Sequence, residues 1–177
     1  MIRQLTLLLA LLTATGSWAT HVLGGEMYYD KLSGNQYRIT LKLYRDCGPG
    51  NSNNTGFDAN AELAVYDGSG VFQFAQNVSY PGEQTVPVDL SDPCLAAPPS
   101  ICARWSEYVT VTPTAAEQQR LCGELQRCCR TPTTVNLPTG LLQGLTCTVR
   151  IPPVGLLVNS SPRFWNTHPL PCAWADR

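Results

Sequence analysis

The sequence contains little histidine, few charged residues and no long apolar run. Only His21 and His168 are present, charged residues make up 14% of the 177 positions, and the formal net charge is −1. The sequence shows neither a basic face nor an acidic tract, so nucleic-acid binding is not expected. No Gly-x-Ser-x-Gly motif is present, and both histidines lie in segments where solvated polar side chains are expected. We therefore expect a non-enzymatic protein with no catalytic residue and no cofactor.

The apolar stretch near the start is too short to cross a membrane. Leu5–Leu12 is leucine-rich, whereas a spanning helix needs roughly 20 apolar residues. Arg3 precedes the stretch, and small residues at Ser17 and Ala19 follow it at the spacing that signal peptidase requires. This pattern predicts a signal peptide over residues 1–19, and hence a secreted, extracellular or cell-surface protein without a transmembrane anchor.

All the cysteines lie after the predicted cleavage point. An even number of cysteines in an exported chain of this size indicates a disulfide framework. A structural zinc site is less favoured, because such sites use closely spaced cysteine pairs and histidines, and no Cys-x2-4-Cys pair is present. The eight residues predicted to form disulfides are Cys47, Cys94, Cys102, Cys122, Cys128, Cys129, Cys147 and Cys172.

One calcium-like pattern is present in an Asn-rich loop. Residues 51–62 have the spacing of an EF-hand loop, with Asn51 in the first ligand position and Glu62 in the last. Among the ligand positions only Glu62 is anionic, and the flanking segments are predicted strands where an EF-hand has helices. We therefore expect no metal site.

Frequent glycines and prolines, 14 of each, separate short segments that have strand patterns. In Gln36–Asp46 the apolar and polar side chains alternate, which is typical of a half-buried strand. The other predicted strands are Gly25–Lys31, Ala61–Tyr66, Val71–Tyr80, Val86–Leu90, Arg104–Thr112, Leu125–Arg130, Thr133–Leu137 and Thr146–Ile151.

This pattern predicts an all-β fold, a disulfide-stapled β-sandwich of the Ig-like type, over residues 20–151. At most one short helix is expected, beginning with a capping box at Thr114 and stopping at Gly123. Residues 152–177 are predicted to form a Pro-rich, irregular tail.

Six segments together resemble the N-terminal module of large surface proteins from gliding Gram-negative bacteria. They are 20–29 (THVLGGEMYY), 37–47 (YRITLKLYRDC), the Asn-rich loop that leads to Phe57 and Asp58, 92–102 (DPCLAAPPSIC), 126–130 (QRCCR) and 159–162 (NSSP). The Tyr-Arg-Asp-Cys and Gln-Arg-Cys-Cys-Arg pieces are the most specific, and the resemblance covers nearly all of the predicted mature chain.

The resemblance implies location and architecture rather than chemistry. Proteins of that kind continue into PKD-like repeats and a gliding-motility-associated sorting domain, whereas this chain ends at Arg177, shortly after Cys172. We therefore expect an adhesin-like leading domain with a truncated link to a missing domain, whose partner is an extracellular ligand or a neighbouring domain. The alternative is a secreted carbohydrate-binding domain, in which Trp165 and Trp174 would be exposed and Trp105, in a strand, would belong to the core.

Four of the cysteines are predicted to form two bonds. Cys94 and Cys102 bracket a short Pro-rich loop that brings its ends together, so we expect them to pair. The resembling proteins have no cysteine equivalent to Cys122 or Cys147, so we expect these two to pair with each other.

The remaining cysteines include a vicinal pair. Cys128 and Cys129 are adjacent in a predicted strand and point to opposite faces, so they need different partners. This leaves Cys47 and Cys172 as the partners of these two residues, in either combination, with the alternative that one of the vicinal cysteines stays free in a truncated product.

Overall fold

The described part of the fold consists of strands joined by turns and loops. The computed structural model describes residues 22–34, 36–48, 56–87, 102–113, 121–128, 130, 143–152 and 160–163. Within these ranges there are eight strands and no helix. The strands are β1 (Val22–Lys31), β2 (Gln36–Asp46), β3 (Asn60–Tyr66), β4 (Phe72–Ser79), β5 (Gln84–Thr85), β6 (Ala103–Pro113), β7 (Leu121–Cys128) and β8 (Gly144–Ile151).

The strands form two antiparallel sheets. Sheet A has the order β1-β2-β6-β5, and sheet B has the order β4-β3-β7-β8. When β1 to β8 are equated with strands A, B, C, C′, D, E, F and G of an immunoglobulin domain, the sheets become ABED and C′CFG, which is the arrangement of that fold. The prediction of an all-β, Ig-like sandwich is thereby confirmed.

The core lies between the inner faces of the two sheets. Alternate residues of β2 (Tyr37, Ile39, Leu41 and Leu43) are at most 4% exposed, as the sequence alternation predicts. Each large apolar side chain buried in this way contributes roughly 1.5–3 kcal/mol. The residues of sheet B that pack in the same clusters are Ala61, Leu63, Val65, Leu125, Cys147, Val149 and Ile151.

Gly123 lies inside β7 and does not end a helix, so that part of the helix prediction is wrong. It is opposite Val65 of β3 and Val149 of β8. A Cβ atom at position 123 would lie 3.3 Å from Val149 Cγ1. The absence of a side chain at Gly123 therefore lets Val149 pack close to β7. Residues 114–120, where the capping box was expected, lie outside the described residues.

Strand β5, at one edge of sheet A, is two residues long. It ends just before the predicted strand Val86–Leu90 begins. β5 is Gln84–Thr85, and Val86 and Pro87 follow it outside the ladder. The Val86 N–H still donates to the Ala103 carbonyl at 2.8 Å, but Pro87 has no N–H and cannot continue the pairing. The predicted strand at 133–137 and residues 88–90 lie outside the described residues.

One disulfide joins the two central strands of sheet A. Cys47, directly after β2, is bonded to Cys102, directly before β6. The bond forms there because the end of β2 lies opposite the start of β6 in the antiparallel ladder. The predicted Cys94–Cys102 pair is therefore wrong, and so is the predicted bond from Cys47 to Cys128 or Cys129.

Cys122 and Cys147 are free thiols, so their predicted bond is wrong. They lie on neighbouring strands, but Cys147 is opposite Leu125, three residues along β7 from Cys122. An odd offset places two side chains on opposite faces of a sheet. Cys147 consequently packs in the core, whereas Cys122 points to the outer face of sheet B.

Several predictions concern residues outside the described ranges. Cys128 is disulfide-bonded, but Cys94, Cys129 and Cys172 lie outside those ranges. The same holds for the signal peptide at 1–19, residues 51–55 of the calcium-like pattern, and Trp165 and Trp174. These remain predictions.

Residues 160–163 lie along the outer edge of β1. The Ser161 N–H donates to the Tyr29 carbonyl at 2.9 Å, and the Tyr29 N–H donates to Ser161 Oγ at 3.1 Å. Arg163 forms an ion pair with Asp30. The segment is thus fixed at the end of β1 where the β1–β2 hairpin turns.

Candidate ligand-binding face

The outer face of sheet A carries aromatic and charged side chains in rows across the strands. On β6, Tyr108 is buried toward the core, so Trp105 and Glu107, at odd offsets from it, point to the outer face. Trp105 lies opposite Tyr44 of β2, and Glu107 lies opposite Lys42. Trp105 is half-buried on this face, so the prediction that it belongs to the core is wrong.

Lys42 lies against two aromatic rings of this face. Its Nζ is 4.3 Å from the centroid of the Trp105 ring and 5.4 Å from the centroid of the Tyr44 ring. An ammonium group at these distances is attracted to the face of an aromatic ring. Lys42 therefore covers Trp105 on the side that faces β2.

Two tyrosines of the face are held as neutral phenols. Tyr44 Oη donates to Glu26 Oε1 at 3.0 Å, and burial, reinforced by this bond, raises the pKa of Tyr44 well above its usual value. Burial also raises the pKa of Tyr28, and the nearby carboxylate of Glu107 adds to the effect. Both hydroxyl groups therefore keep their protons at physiological pH.

A groove of about 250 Å³ lies beside Trp105. Its other wall comes from the turn before β5, on the opposite side of β6 from β2 and Lys42. In this turn Gly82 has a φ of +109°, a conformation that L side chains rarely adopt. The lining residues are Pro81, Gly82, Glu83, Gln84, Trp105 and Glu107.

Glu83 fixes this turn to the sheet. Its carboxylate contacts Arg104 Nη1 and lies 3.7 Å from Nη2 of Arg45, whose side chain is 4% exposed. Ser106 Oγ donates to the Gly82 carbonyl at 2.8 Å, which ties the turn to β6. The groove is therefore preformed, and two guanidinium groups compensate the charge of Glu83.

The ends of the strands define a second surface of interest. The connections 47–59, 86–102 and 129–143 all leave the end of the sandwich that carries the Cys47–Cys102 bond. In an immunoglobulin variable domain the loops that recognise antigen, including B–C and F–G, lie at one such end. The shorter connections at the opposite end are 32–35, 67–71 and 114–120.

The described residues offer no metal centre. No group of three or more His, Cys, Asp or Glu side chains among them could hold a metal ion. The same part of the chain has no helix with the length and hydropathy needed to cross a membrane.

Comparisons with known proteins found no match that indicates a function. No protein-family model matches the sequence, and no curated protein is significantly similar to it. The function is therefore inferred from the fold and its surfaces.

Proposed function

We propose that this chain is a non-enzymatic extracellular recognition module, the adhesin-like leading domain of a larger surface protein. The observation that carries the proposal is the Ig-type strand order, which sends three long connections to one end of a disulfide-stapled sandwich. Loops that are held by a rigid scaffold are common recognition surfaces, because they can vary without disturbing the core.

An extracellular location is supported by two independent features. The Cys47–Cys102 bond is typical of proteins that fold in an oxidising compartment. The predicted signal peptide at 1–19 would deliver the chain to such a compartment. The resemblance of segments such as 37–47 and 126–130 to surface modules of gliding bacteria favours display at the cell surface.

A bead-capture assay tests the proposal. The full chain, secreted from a Gram-negative host, is coupled to fluorescent beads, and capture is measured on bacterial cells, extracellular polysaccharide and matrix protein. In one variant a Gly-Ser sequence of equal length replaces residues 51–55 of the connection between β2 and β3. The matched control carries Ser33→Gly and Asn35→Gly in the hairpin at the opposite end.

The expected result is capture by at least one of these surfaces, reduced about tenfold or more in the 51–55 variant, as for the loss of part of a binding site. The control should be captured as well as the parent chain. Absence of capture on every surface, or equal capture of both variants, would count against recognition at this end. Turnover of ester, glycoside or peptide substrates would identify an enzyme instead.

A further inference from the structure

We infer that the groove beside Trp105 binds one pyranose ring of a neutral glycan, an inference that rests on the recognition function proposed above. The groove is a built feature of the fold, since the ion pairs of Glu83 and the Ser106–Gly82 hydrogen bond hold its wall in place. A preformed site loses little conformational freedom when a ligand binds.

Trp105 lines the groove on the side of β6. Lys42 lies 4.3 Å from the ring centroid and comes from β2, whereas the groove lies toward β5. Lys42 therefore supports the ring from one side and leaves the other side as an apolar wall. An aromatic face is a large, rigid contact surface, and the C–H groups on the flat side of a pyranose fit against it.

The acidic residues at the groove have basic neighbours outside its lining. Glu83 is compensated by Arg45 and Arg104, while Lys42 lies opposite both Glu26 and Glu107 in the ladders of sheet A. Because both charged lining residues, Glu83 and Glu107, have basic neighbours, a charged ligand gains less here than it would at an uncompensated site. The balance consists of three acidic residues, Glu26, Glu83 and Glu107, and three basic residues, Lys42, Arg45 and Arg104.

The polar groups and the size of the groove suit a single sugar ring. Gln84 is exposed and lies directly opposite Trp105 in the β5–β6 ladder, so its amide can donate to and accept from hydroxyl groups beside the ring. The carboxylate of Glu107 supplies further acceptors. At about 250 Å³, the groove is smaller than the roughly 300–1,000 Å³ of sites for drug-sized ligands.

A glycan array probed with the full secreted chain tests the inference, followed by titration with the best neutral oligosaccharide. Trp105→Ala should weaken binding about tenfold or more, because it removes the apolar wall. Trp105→Tyr keeps a ring and should retain part of the affinity. Gln84→Ala should weaken binding less. The matched control is Val109→Ala on the same strand and outer face, where Val109 is 45% exposed, and it should bind like the parent chain.

Thermal unfolding of each variant separates lost binding from lost folding, and Trp105→Tyr covers the case in which Trp105→Ala does not fold. Binding to no neutral glycan, or equal binding by all four variants, would overturn the inference. Selective binding of sulfated glycans or lysine-rich peptides would also overturn it. A further outcome in the bead assay is that Trp105→Ala is captured like the parent chain while the 51–55 variant is captured less. This outcome would leave the recognition function standing and would contradict only the role of the groove.

Discussion

The backbone N–H of Cys47 donates to the carbonyl of Cys102 at 2.9 Å, and the same two residues are joined by a disulfide. A hydrogen bond and a covalent bond thus meet where β2 ends and β6 begins. The two residues are 55 positions apart in the sequence, so the bond closes a long loop in the unfolded chain.

Loss of this disulfide is expected to destabilise the domain strongly. Replacing both Cys47 and Cys102 by serine should lower the free energy of unfolding by about 2–4 kcal/mol, because the unfolded chain regains the freedom of the long loop. Urea denaturation of the purified variants measures the effect. Cys122→Ser is the matched control, since Cys122 is a free, half-buried thiol, and it should cost less than about 1 kcal/mol. A non-reducing peptide map that links Cys47 to any other cysteine would contradict the pairing.

Stability is expected to fall in alkaline solution because of Tyr108. Its hydroxyl donates to the Asp58 carbonyl at 2.9 Å, and burial, with the nearby Asp58 carboxylate, raises the pKa of Tyr108 to about 12. In the unfolded chain this pKa is about 10, so the folded state holds the proton more tightly. The resulting stability is complete below about pH 10 and is lost as the pH rises toward 12, by about 1 kcal/mol at pH 11.

Urea denaturation between pH 8 and pH 11 checks the pH dependence, with Tyr108→Phe as the comparison. The phenylalanine variant should be less stable at pH 8 by about 1 kcal/mol, since the Asp58 hydrogen bond is lost. Its stability should fall less steeply with pH, so the two curves should converge. Parallel curves would show that Tyr108 does not titrate in this range. Cys147, whose pKa is also raised by burial, contributes a loss in the same direction to both proteins.

Glu83 is expected to stabilise the fold more than an ordinary surface ion pair does. Glu83→Gln removes the carboxylate near Arg45, whose side chain is 4% exposed. The free energy of unfolding should fall by roughly 2–3 kcal/mol, somewhat less than for a fully buried pair. Asp30→Asn is the control, because its partner Arg163 is 42% exposed, and it should cost less than about 1 kcal/mol. Similar losses in thermal or urea unfolding would contradict this difference.

The predicted signal peptide is testable in a Gram-negative host. The secreted product should begin at Thr20, as measured by mass spectrometry of the intact protein. Ala19→Tyr should block cleavage, because signal peptidase accepts small residues at that position, whereas Thr20→Ser should not. A cytoplasmic product that retains Met1 would contradict the prediction.

The sequence predicts the positions of the strands better than it predicts which residues of a strand point to the core. The bounds of β2 were predicted as observed, because its apolar residues alternate cleanly. In β6 the inner face carries Ser106 and Thr110, while Val109 and Val111 lie on the outer face at 45% and 44% exposure. The polar inner residues have hydrogen-bond partners from elsewhere in the chain, Gly82 and Gln76. Alternation alone does not reveal such partners, so the sequence predicts the wrong face for Trp105.

The disulfide and the groove depend on contacts between distant segments. The short loop between Cys94 and Cys102 predicts that these two residues pair, but the adjacency of β2 and β6 places Cys102 beside Cys47 instead. The groove likewise needs Glu83 to meet Arg45, and these residues come from separate elements. Neither relation has a signature in spacing or composition.

The attachment of residues 160–163 to β1 has a mechanical consequence. These residues are held beside Tyr29 and Asp30, at the hairpin end of β1, whereas Val22 begins the strand at the opposite end. Tension between Val22 and Arg163 is therefore directed along β1. The contacts of Ser161 with Tyr29 and of Arg163 with Asp30 connect this segment directly to β1, so they carry the tension before the ladder between β1 and β2 does.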